Sequence, residues 1–223
     1  MRLPLKSKPP ELSQKQVQSL FTKLSKHTAT NIAPYGQLSS EVMCIEFTPK
    51  IVVSETGSPL ISTSFLPIVK ECEAKASTSL YITAMHKVLP STTTLSEEEY
   101  VLLCAEILCG GRDEIIVFGN NALKFFVPTA ELSTNKVTQY KCSFYPGKNI
   151  AIYALEHPEN TSASHFIKSF TSTLKKISAL RSKPKPLKLT TTKRKIRSKP
   201  AQVIQPKLTP GEIPILADNR SLF

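Results

Sequence analysis

Catalysis and metal binding need a few side-chain types at workable spacings, and this 223-residue chain supplies them sparingly. It has five cysteines (Cys44, Cys72, Cys104, Cys109 and Cys142) and four scattered histidines, His27, His86, His157 and His165. No Cys-x-x-Cys and no closely spaced histidine pair offers a zinc corner. Cys104 and Cys109 fall on different parts of a helix, or on opposite faces of a strand, so they do not make one either. The only aspartates are Asp113 and Asp218, too few for a carboxylate-held divalent ion. Glu97, Glu98 and Glu99 form a cluster, but acidity at the start of a helix explains it. A Cys–His pair could assemble in space, Cys142 with His86 for instance, yet nothing in the spacing prefers it to packed thiols. Nucleophile-elbow, zincin, Walker and dinucleotide fingerprints are absent. The expectation is a protein that is not an enzyme and uses no metal or cofactor.

The positive signal is charge. Net charge is +12, and it is unevenly placed. Residues 160–211 hold 13 Lys and Arg and no Asp or Glu, whereas residues 27–159 hold nine basic and 14 acidic residues. A mildly acidic core with basic ends predicts contact with a polyanion. The candidate binding residues are Arg181, Lys183, Lys185, Lys188, Lys193, Arg194, Lys195, Arg197 and Lys199. The cluster at 193–197, alone or bipartite with 181–188, also reads as a nuclear-localisation signal. Such cations grip phosphate backbones without reading bases, in a salt-dependent way. No aromatic residue occurs from Thr171 to Leu222, so base stacking there is not expected.

These groups must be positioned by structure. Ser13 and Gln16 form a capping box, and Val17, Leu20, Phe21 and Leu24 follow as one apolar stripe. That helix could dock on a partner, lie on an anionic membrane, or cover the domain's own core. Strands are expected at 42–47, 51–53 and 80–89. Residues 71–77 read as a loop or a single helical turn. Residues 95–111 read two ways: the Ser96/Glu99 capping box and Gly110-Gly111 suggest a helix, while an apolar run from about Val101 suggests a central strand, the preferred reading. Further on, 114–118, 122–127, 137–144 and 149–153 read as strands of hairpins turning at Gly119-Asn120-Asn121 and Tyr145-Pro146-Gly147. Residues 161–180 carry Ala163, Phe166, Ile167, Phe170, Leu174, Ile177 and Leu180 on one helical face.

The fold class expected is α+β: a mainly antiparallel β core, as a small barrel or sandwich, closed by a C-terminal amphipathic helix. Its parts are a disordered basic segment at 1–12, one domain at 13–180, and a disordered Lys/Arg/Pro-rich tail at 181–223. In element order this resembles the pleckstrin-homology type of small barrel over residues 40–180. The resemblance implies a scaffold for peptides or phosphoinositides. An odd number of thiols, mostly in apolar runs, without a secretory leader or a membrane-length apolar run, points to a reducing compartment, nuclear or cytoplasmic. The functional expectation is a non-enzymatic nuclear interaction or adaptor protein. Its core binds a protein partner, and its tail gives import and nonspecific DNA or RNA affinity. Alternatives are a viral matrix- or capsid-like protein that self-associates on a genome, or an adaptor on an anionic membrane.

Overall fold

Three short segments, Val42–Glu46 (β1), Leu80–Ala84 (β2) and Glu114–Phe118 (β3), are apolar on both faces and almost wholly buried. Such segments belong in the middle of a sheet covered on both sides. The computed structural model, which describes residues 3, 5–26, 34–47, 65–87, 95–134 and 136–182, places them there. With Thr138–Tyr145 (β4) and Lys148–Leu155 (β5) they form a five-stranded sheet of order β2-β1-β3-β5-β4. The pairs β1/β2, β1/β3 and β3/β5 are parallel; only β4/β5 is antiparallel. The expected antiparallel barrel or sandwich, and with it the pleckstrin-homology resemblance, is therefore overturned by a mixed, mostly parallel sheet.

Helices explain why. Parallel neighbours need crossovers, and helices supply them in three stretches: one where a loop or a single helical turn is expected, one where strand is preferred to helix, and one where a hairpin strand is expected. Phe65–Ala76 (α2) buries Phe65, Val69 and Cys72, at helical spacing, and tolerates Pro67 in its first turn. Glu97–Cys109 (α3) starts on Ser96, whose capping box with Glu99 is closed in both directions. Its apolar surface runs round most of the helix because two layers cover it: the sheet takes Leu103 and Ile107, and Gln14–Lys26 (α1) takes Leu102 and Ala105. A helix apolar on all sides is a buried helix, and that reverses the strand preference for 101 onward.

Gly119–Phe126 (α4) replaces the expected second hairpin strand. A tight hairpin turn of the Asn-Gly type needs positive φ at both central residues, whereas here Gly119 alone has it, at 82°. The chain turns there straight into a helix that buries Ala122, Leu123 and Phe126. The hairpin at Tyr145-Pro146-Gly147 does form, with Gly147 at φ 88°.

Ala163–Ser182 (α5) is the helix anticipated from its periodicity, beginning and ending two residues later than expected. With α2 it covers the face holding Val42, Cys44, Ile82, Ile116 and Tyr153; α3 and α4 cover the face holding Met43, Ile45, Ile115 and Ile152. Phe118, Phe166 and Phe170 pack together at ring-centroid distances of 5.2–5.8 Å, Phe118 and Phe170 edge-on and the other two pairs tilted. Residues 1–184 and 185–223 group as separate units. The strand expected at 51–53 lies outside the described residues, as does everything beyond Ser182. No described helix is long and apolar enough to cross a membrane.

Candidate polyanion-binding face

The α5 sequence, ASHFIKSFTSTLKKISALRS, carries Lys168, Lys175, Lys176 and Arg181 and no acidic residue. Its apolar residues Phe166, Phe170, Leu174 and Ile177 point into the core. The 3.6-residue period then turns Ser164, Lys168, Ser172, Lys175 and Lys176 outward, and all five are exposed. Lys168, Lys175 and Lys176 make no ion pair among the described residues. Three unneutralised ammonium groups on one helix face, interspersed with hydroxyls, suit a row of phosphates.

Two grooves flank the helix. One, about 550 Å³, runs between α2 and α5 and contains Glu71, already paired with Lys75 at 2.5 Å. The other, about 320 Å³, lies between α5 and the β4/β5 edge, and Lys168, Ser172, Lys176, Gln139 and Tyr153 line it. There the Lys176 ammonium stands 5.2 Å from the Tyr153 ring centroid and donates to Gln139 Oε1 at 3.2 Å. Near one end of this groove, His165 also borders a small notch that contains Lys136 and Glu156.

Arg181 belongs to α5 rather than to the tail. Its guanidinium donates to the Glu41 carbonyl and pairs with Glu114 at 3.5 Å. It is therefore less free to meet a ligand than the three lysines. Lys183, Lys185, Lys188, Lys193, Arg194, Lys195, Arg197 and Lys199 lie outside the described residues. In sequence they follow directly from the last turn of α5. Val17, Leu20, Phe21 and Leu24, the stripe considered for partner docking, pack against Leu102 and Ala105 of α3.

A second polar cluster is buried between β2 and α3. Lys87 and Glu106, each about 1% exposed, pair at 2.7 Å. The other Glu106 oxygen accepts from Tyr81 Oη at 2.6 Å and from Thr83 Oγ1 at 3.1 Å. Arg112 donates to the carbonyls of Glu106 and Ser40, both at 3.0 Å, and stacks its guanidinium 5.5 Å from the Tyr81 ring centroid. Burial pulls the Lys87 pKa down, against the nearby Glu106 carboxylate. Next to it, His86 Nδ1 lies 3.5 Å from Glu99 Oε2. Burial would raise the Glu99 pKa, but hydrogen bonds from His86 and from the Ser96 and Lys87 amides outweigh that and hold it near 2.

A groove of about 420 Å³ between α1 and residues 34–39 reaches Tyr81 and Glu106. Both Glu106 oxygens are nevertheless engaged within the cluster, which makes it a clasp between β2 and α3.

The thiols do not join these groups. All five cysteines are free. Burial pushes Cys104 up to about 12 and Cys142 up to about 11, so neither is a ready thiolate. Cys142 Sγ instead donates to the Phe126 carbonyl at 3.2 Å. No group of three His, Cys, Asp or Glu side chains able to hold a metal ion occurs among the described residues.

Compared with known proteins, the chain matches no family model and no curated protein sequence.

Proposed function

We propose that this chain is a non-enzymatic interaction protein that binds a nucleic-acid backbone along α5 and the basic segment that follows it. The observation that carries the reading is the outer face of α5, where Lys168, Lys175 and Lys176 stand exposed without an ion-pair partner among the described residues. The sequence continues the same charge without an acid until Glu212. In sequence, the α5 charge is followed by eight more Lys and Arg from Lys183 to Lys199. Recognition of this kind follows charge and phosphate spacing rather than base identity. In the same reading the cluster at 193–197 serves as a nuclear address, and the sheet domain offers the surface for a protein partner.

The test is a salt series with the full chain and a labelled single-stranded RNA. Reversing Lys168, Lys175 and Lys176 to Glu should weaken binding at least tenfold near 100 mM salt and flatten the slope of log affinity against log salt by about two. An unchanged affinity and slope would refute the α5 reading. Removing residues 183–223 should lower the affinity further and abolish nuclear accumulation of a fluorescent fusion.

A further inference from the structure

We propose that the groove between α5 and the β4/β5 edge is a seat for one phosphodiester of the nucleic-acid backbone, fixing the register in which the strand lies along the helix. The inference rests on the reading of α5 given above and makes it more specific.

The groove differs from the other depressions described. The notch beside it contains Glu156, the α1 groove contains Glu106 and the α2/α5 groove contains Glu71. This one is lined by Val137, Gln139, Tyr153, His165, Lys168, Ser169, Ser172, Thr173 and Lys176, with no carboxylate among them. An anion entering it meets no like charge from its walls.

Its donors sort into occupied and available ones. Thr173 Oγ1 already donates to the Ser169 carbonyl at 2.8 Å, and Ser169 Oγ lies 3.3 Å from His165 Nε2. Lys176 has only the neutral Gln139 oxygen and the Tyr153 ring. Lys168 and Ser172 are exposed on the rim. Tyr153 is about 1% exposed, and its hydroxyl is buried with no hydrogen-bond partner.

A buried hydroxyl without a partner is costly. The polypeptide leaves this one unpaired on a residue that lines the groove together with Lys176, and a phosphate oxygen that reached it would accept its hydrogen bond. Burial, aided by the charge of Glu114, raises the Tyr153 pKa, so the phenol keeps the proton it would donate.

Lys168 and Lys176 are eight residues apart, about 12 Å along the helix axis. Both side chains line the groove, as Tyr153 does from β5, and the Tyr153 hydroxyl is buried. A volume of about 320 Å³ holds a phosphate with part of its flanking sugars. A base does not need to enter.

The experiment uses full-length protein, labelled single-stranded RNA, and three variants: Tyr153→Phe, Lys176→Gln and Tyr100→Phe. Tyr153→Phe removes an oxygen that bonds to nothing in the protein, so its melting temperature should match or exceed the parent's. It should weaken RNA binding by about tenfold, the scale of a hydrogen bond to a charged group, with the salt slope unchanged. Lys176→Gln should weaken binding and reduce the slope by about 0.7. Tyr100 is a buried tyrosine on the opposite face of the sheet, with its hydroxyl beside the Cys104 thiol. Tyr100→Phe should leave binding alone.

Inorganic phosphate at millimolar concentration should compete with RNA weakly in the parent and not at all in Tyr153→Phe. If the parent binds RNA and Tyr153→Phe binds it equally well, the seat is refuted while the α5 face survives. If the parent shows no salt-dependent RNA binding, the α5 reading falls and the seat falls with it. Tight competition by phosphate alone, with no RNA binding, would assign the groove to a small free anion and overturn the backbone proposal.

Discussion

The molecule handles charge in opposite ways on its two flanks. Between β2 and α3, Lys87, Glu106, Arg112, Glu99 and His86 are buried and bonded to one another or to backbone. Along α5, Lys168, Lys175 and Lys176 are exposed and have no ion-pair partner among the described residues. The first arrangement holds the fold together and leaves little to offer a ligand. The second contributes little to the fold and leaves its whole charge for something outside. Position relative to the sheet decides the difference: a charge facing the interior must find a partner to exist there, while a charge facing water need not.

Removing one partner from the buried flank tests this contrast with the largest effect. Lys87→Met leaves the Glu106 carboxylate without its ion and should destabilise the domain by roughly 3–5 kcal/mol. A fall in melting temperature of order 10 °C is expected. Lys87→Met combined with Glu106→Leu should recover much of that loss, because well-packed apolar side chains can substitute for a buried pair. A double variant no more stable than the single one would show that the clasp adds more than mutual neutralisation.

Glu46 lies at the end of β1, about 4% exposed, on neither flank. Burial, together with the like charge of Glu159, pushes its carboxyl up to about 8 from an ordinary 4.5. The folded state therefore favours the protonated form. The stability this contributes is whole below about pH 4.5 and is lost as pH rises toward 8. Denaturant titrations should show the parent losing a few kcal/mol over that window relative to Glu46→Gln. Parallel pH profiles of the two proteins would contradict the assignment.

On the exposed flank, the Lys168/Lys175/Lys176 reversal should change stability by no more than about 0.5 kcal/mol while lowering RNA affinity tenfold. A large loss of stability would mean that those lysines serve the fold after all. The smallest effect expected is in thiol labelling under native conditions. Cys109, half-buried near the end of α3, should react first, and Cys44 should stay silent until the protein unfolds.

The two flanks were not equally legible. The α5 lysines could be assigned to an outer face because a 20-residue helix repeats its period often enough to read. The first helix was readable from its capping box in the same way, and the β4/β5 hairpin from its Pro-Gly turn. The buried clasp was not. Lys87 and Glu106 are 19 residues apart, and only the packing of α3 on the sheet brings them together. The phosphate seat was hidden for the same reason. Gln139 faces Tyr153 through the β4/β5 register, and Lys176 reaches both only after α5 has docked.

The sheet departs furthest from what local pattern predicts: it is mostly parallel, not antiparallel. Short apolar runs fit both buried strands and fully covered helices, and local pattern does not distinguish them. Residues 97–109 and 119–126 became helices because the neighbouring strands run parallel and need crossovers on one side of the sheet. By itself the sequence determined where charge accumulates, which helix ends are capped, and which strong periodicities become α1 and α5. Those are properties of near neighbours along the chain. Strand direction, the pairing of buried ions and the walls of the α5 groove depend on residues far apart in sequence. They were decided only when burial forced those residues to meet.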